Sequence, residues 1–137
     1  MKPAYNFINR YPLSVSFLFF LCWASLSSPL ELGLMNVLAH YDKLVHFIIY
    51  TLFCTIVWYE YLRSHTAIVV KNILKGVVAT PIIIGGVLEY MQSTFTVSRS
   101  GDLMDFLFNV LGVLFAALVG ILVLIPVMHR HRADKPH

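Results

Sequence analysis

The stretch "EYMQSTFTVSRSGDLMDFLFN", residues 89–109, joins two long apolar runs and gathers Glu89, Arg99, Asp102 and Asp105 at their junction. Gln92 and Asn109 add amides near its two ends. Charge is scarce elsewhere: the 137 residues are 58% hydrophobic and 12% charged, where a soluble domain carries about 25% charged residues. A chain this short has too much surface for its volume to hide that much apolar area in a soluble core. Runs of this length satisfy their own backbone groups in lipid only as helices. The composition therefore indicates an all-α integral membrane protein, a single domain over residues 1–137.

Working outward from that junction, four apolar runs cover residues 13–28, 43–62, 74–95 and 105–128. A helix crossing the bilayer needs about 20 residues, so the last three fit and the first is short. Pro29 ends the first run, and Pro81 predicts a kink in the third. The first run has a second reading as a signal peptide, with Lys2 and Arg10, an apolar stretch and then small residues over 24–28. Retention is preferred, because it makes an even-numbered bundle and no Ala-x-Ala site stands out. A lipoprotein reading at Cys22 is disfavoured by the bulky Phe20 and Leu21 before it. Cys22 and Cys54 lie in apolar runs without a CxxC pair, which suits space-filling rather than a disulfide or zinc site.

Lysine and arginine set the direction. Lys2 and Arg10 flank the first run, Arg63, Lys71 and Lys75 the second connection, and Arg130, Arg132 and Lys135 the tail. The first connection has Lys43 at its edge with Glu31 and Asp42, and the third has Arg99 with Asp102 and Asp105. This predicts a four-transmembrane-helix bundle, N-in/C-in, ending in a polar cytoplasmic tail over 129–137. The net charge of +3 does not imply nucleic acid, because the basic residues flank apolar runs and form no interleaved patch.

On that topology three segments bring polar side chains to one membrane face. Asp42, His46 and Tyr50 are spaced four apart and line one stripe of the second helix. Glu89 and Gln92 end the third helix, while Asp102, Asp105 and Asn109 line the start of the fourth. Structural readings stand beside functional ones for most of them. Asp42 and Asp102 suit helix N-caps, and Asp105 stands three residues on from Asp102 as in a capping box. Lys43 suits snorkelling to headgroups, and Asn109 near Gly112 an interhelical hydrogen bond. Arg99 either neutralises the aspartates or offers its fork to a phosphate or carboxylate. Glu89 is the sharper candidate. It lies near a helix C-terminus, where the dipole disfavours an anion, so it needs a proton or a partner from another segment. Glu60, beside Tyr59 and Tyr61, is read as reaching interfacial water, and the tail histidines as solvated. No GxSxG, Walker loop, HExxH or Cys/His zinc spacing is present.

Three segments, "YDKLVHFIIYTLF", "GGVLEYMQ" and "SRSGDLMDFLFNVLGVLFAALVG", together resemble the VanZ-like family of small bacterial membrane proteins. The resemblance rests on Asp42, Lys43, His46, Phe47, Glu89, Gln92, Arg99, Asp102, Asp105, Asn109 and Gly112, and spans roughly residues 42–120. It implies a protein of the bacterial cytoplasmic membrane and the cell envelope, in a family whose founding member is associated with teicoplanin resistance. Its cofactors are unknown.

The expectation is a polar pocket at the outer leaflet that engages an amphiphile, such as a lipid-linked envelope precursor or a glycopeptide. Asp42, Lys43, Gln92, Arg99 and Asn109 are the candidate ligand-binding residues. His46, Glu89, Asp102 and Asp105 are the candidate proton carriers, and the catalytic residues if the protein is an enzyme. An enzyme acting on a lipid-linked phosphate or acyl group is the second expectation, and a structural or accessory subunit the third. No metal is assigned, although two aspartates, a glutamate and a histidine are also a donor set for a divalent cation.

Overall fold

The computed structural model of the chain describes residues 2–26, 35–65, 67–95 and 103–133, with side chains from Asn6 in the first segment and Tyr41 in the second. The described chain is almost entirely helical. A short α1 (Lys2–Arg10) leads into α2 (Pro12–Leu26), and α3 runs over Met35–Ser64. Helix α4 (Val70–Phe95) and helix α5 (Leu103–Ala133) each contain a π-helical stretch. Three of these helices are long and apolar enough to cross a membrane: α4, α5 and the Tyr41–Ser64 part of α3. The apolar α2 is shorter, at 15 residues.

Each boundary has a local cause. The backbone of α3 leaves the helical region at Tyr41 (φ −121°, ψ 17°), so the straight part of the helix begins at Asp42. The expected N-cap role of Asp42 is modified accordingly: helix precedes it, and the break supplies the new start. Proline dictates both π-helical stretches. Its ring clashes with the carbonyl four residues back, and it has no N–H to give. In α4 the residue before Pro81, Thr80, donates its N–H to Lys75 O five residues back. Its hydroxyl donates to the same oxygen at 2.8 Å. In α5 Ile125, before Pro126, bonds to Gly120 O in the same way. The widened turn absorbs the proline, and helix continues through both sites.

Helix α5 packs most extensively on α3, with α4 and α2 against that pair. Small residues permit the approach. A Cβ on Gly112 would stand 2.6 Å from Phe47 O, and one on Gly120 would meet the Trp58 ring at 2.4 Å. Together with the fully buried Ala116 they form a small-residue stripe at four-residue spacing. One core cluster joins Leu21, Tyr50, Phe53, Cys54, Val113 and Ala116; a second joins Trp58, Tyr61, Leu62, Ile73 and Val77. Trp58 thus packs inside the bundle, whereas Trp23 is exposed. Cys22 and Cys54 are both free thiols.

Glu60 corrects its sequence reading. It does not reach water: it is 0% exposed. Its carboxylate accepts from Leu13 N and Ser14 N, both at 2.9 Å, and from Ser14 Oγ at 2.6 Å. Pro12 has no N–H, and Val15 N bonds to Tyr11 O at 3.0 Å. Every donor at the start of α2 is therefore satisfied, and an anion from α3 sits on the positive end of its dipole. At the same C-terminal end of α3, Arg132 Nη2 donates to Leu62 O and, at 3.0 Å, to His65 O. A cation from α5 caps the negative end of α3. Helix α5 reaches Ala133, beyond the expected boundary at residue 128.

Candidate functional site

The stripe of Asp42, His46 and Tyr50 faces α4 and α5, as its four-residue spacing predicts. Tyr50 is buried against Gly85 of α4, where an added Cβ would lie 3.2 Å from the phenol oxygen. One turn nearer the helix start, His46 is the hub. Its Nδ1 lies 3.0 Å from Asn109 Oδ1 and 3.7 Å from Glu89 Oε1. Its Nε2 lies 3.8 Å from Asp105 Oδ2 and 3.9 Å from Asp42 Oδ1. Three helices thus deliver one imidazole, three carboxylates and one amide to the same point.

The Asn109 amide suits one tautomer of His46. Asn109 Nδ2 donates to Glu89 Oε1 at 3.5 Å, which leaves Asn109 Oδ1 to accept from His46 Nδ1–H. His46 Nε2 then faces Asp42 and Asp105. A neutral ring would aim its lone pair at two carboxylates, which repels.

Exposure is graded across the site. The Lys43 side chain is 47% exposed and that of Asp42 33%, while those of His46, Glu89 and Asp105 are 13%, 11% and 9%. Lys43 Nζ reaches Asp105 Oδ1 at 4.0 Å, and that buried oxygen accepts no hydrogen bond among the described residues. Asp42 and Lys43 therefore form the mouth, with His46, Asp105, Glu89 and Asn109 behind it. Among the described residues, Asp42, His46 and Asp105 each offer an atom within 4.8 Å of the others, a spacing that suits one metal ion.

The magnitudes bear on how the cluster could hold the helices together. An interhelical hydrogen bond in a membrane contributes about 0.6 kcal/mol on average. A buried charge costs several kcal/mol before it is compensated.

Of the residues expected to act together, Asp42, Lys43, His46, Glu89, Asp105 and Asn109 meet. Gln92 is buried, and its Nε2 donates at 2.8 Å to Ser25 O near the end of α2, so it ties α2 to α4. Arg99 and Asp102 lie outside the described residues. Glu60 was read as solvated, although the rule applied to Glu89 covered it equally: an acid within an apolar helix needs a partner. No family model, curated protein or solved structure matches the chain.

Proposed function

We propose that the chain is a VanZ-like multi-pass membrane protein with four spans, N-in/C-in, whose polar recess engages the headgroup of an amphiphilic envelope ligand at the outer leaflet. The ligand class is a lipid-linked envelope precursor or a glycopeptide. The supporting observation is the single imidazole whose Nδ1 is held by Asn109 and whose Nε2 faces Asp42 and Asp105. Such a histidine is oriented and able to pass a proton between the half-open mouth and buried carboxylates. Lys43 at the mouth, with Arg99 from the adjacent connection, meets the anionic group of the ligand. The apolar helix faces hold its chain. The link to teicoplanin resistance follows only from the VanZ-like resemblance.

The test is native mass spectrometry of the purified full chain with its bound lipids, comparing the parent with Lys43→Ala, Arg99→Ala, His46→Gln and Glu89→Gln. Loss of the bound amphiphile in the Lys43 and Arg99 variants, with helicity retained, supports recognition. Unfolding of every His46 and Glu89 variant makes the cluster architectural and the protein an accessory subunit.

The metal-compatible geometry of Asp42, His46 and Asp105 favours a second reading, a divalent-cation enzyme acting on a lipid phosphate or acyl ester. Here Asp42, His46 and Asp105 would hold the ion, which would supply Lewis-acid polarisation of a phosphate or ester oxygen. Turnover of a lipid phosphate that stops on chelation, and returns with added Mn²⁺ or Zn²⁺, selects this reading.

A further inference from the structure

A second polar feature lies at the opposite end of α3. Between His46 and His65 the helix rises about 28 Å at 1.5 Å per residue. There α1, the end of α3 and the π-helical start of α4 border a half-open cavity of about 610 Å³. Among the described residues its polar lining is cationic or neutral, with Arg10, His65, Lys75, Asn6 and Asn72 and no carboxylate. Phe7, Tyr11, Val57 and Val77 supply an apolar wall, and the Phe7 and Tyr11 rings stack at 5.0 Å.

Two neighbouring groups would ordinarily neutralise this charge, and both are engaged elsewhere. Glu60 is fully buried beneath the start of α2, where three donors hold it. The carbonyls at the end of α3 are capped by Arg132. Among the described residues neither Arg10 nor Lys75 forms an ion pair. The π-helical stretch Leu74–Ala79 carries Lys75 and Gly76 into the lining. A Cβ added to Gly76 would meet nothing within 4 Å, so the space beside it is open.

We propose that this cavity binds the phosphate headgroup of an anionic glycerophospholipid, with Arg10 and Lys75 on the phosphate and the aromatic and aliphatic wall along the acyl chain. Basic recesses between helices at a membrane face suit such headgroups electrostatically. The apolar wall, at the ends of spanning helices, favours a lipid over a free anion. The site is independent of the His46 cluster.

The test uses the full chain, delipidated in mild detergent, with phosphatidylglycerol or phosphatidylcholine of matched chain length added back and adducts read by native mass spectrometry. Phosphatidylglycerol is expected to dominate. Lys75→Gln and Arg10→Gln each weaken it about fivefold, the effect of removing one near-surface cation. Gly76→Leu keeps both charges but fills the open space, and it abolishes the adduct while helicity is retained. His46→Gln leaves the adduct intact. Equal binding of the two lipids, or parent-like binding by both Lys75→Gln and Gly76→Leu, overturns the proposal. Displacement of the lipid by millimolar inorganic phosphate also overturns it and makes the ligand a free phosphate. If Arg10→Gln fails to fold, the exposed Lys75 and the unobstructed Gly76 decide the matter alone.

Discussion

Three hydrogen bonds converge on the Glu60 carboxylate, and all come from the start of a different helix. Hydrogen bonds to a charged acceptor contribute about 1.5–3 kcal/mol each in favourable cases, and N-caps about 1 kcal/mol. Glu60→Ala is therefore expected to lower unfolding stability in detergent by about 2–4 kcal/mol, and Glu60→Gln by less. Equal stability of all three proteins would show that water, rather than Glu60, serves the start of α2. His46, Glu89 and Asp105 were legible in the sequence because acids and imidazoles inside apolar runs are conspicuous and their helical spacing gives a facing direction. Glu60 was equally conspicuous but was read by its position near tyrosines. Two of its three partners are backbone N–H groups, which no side-chain pattern reveals.

At the scale of the helices, glycine and proline determine how the elements fit. Gly112 lies against the backbone of α3, so Gly112→Leu must push α5 away from Phe47. The expected loss is at least about 1–3 kcal/mol, the usual range for overpacking, read as a lower melting temperature in detergent. Since Asn109 lies one turn away, the same variant should also break the His46–Asn109 bond. A histidine Nδ1 resonance unchanged by Gly112→Leu would contradict that coupling. Pro81→Ala restores the missing N–H and lets the π-helical turn close to an α-helix. Removing one residue from the bulge turns the preceding segment by about 100°. A cysteine placed at residue 76 should then change its accessibility to a thiol reagent, and no change would mean that the bulge has another cause. Run lengths gave the three long helices to within a few residues. They missed α1, because an apolar-run reading passes over a nine-residue helix of mixed polarity. They also gave Pro81 as a site of irregularity, but not the π-helical turn that precedes it, which the residue type alone does not specify.

For the molecule as a whole, polar chemistry is divided between the two ends of α3. One end holds three acids around His46; the other holds a basic cavity with no carboxylate among its described lining residues. The lysine and arginine distribution predicts that the basic end faces the cytoplasm. Reporter fusions at residues 65 and 137 should then be active only as cytoplasmic reporters, and a fusion at residue 30 only as an extracytoplasmic one. The opposite pattern would invert the molecule and place the acidic recess inside.

The capping of α2 by Glu60 also bears on the order of assembly. Translation delivers the first apolar helix long before the anion that seats it, because Glu60 belongs to the last turns of α3. Until α3 has been made, the donors of Leu13 and Ser14 have only headgroups or water to bond with. Docking of α2 is thus coupled to completion of the next hairpin member, and a chain arrested before residue 60 should expose its first helix to proteolysis.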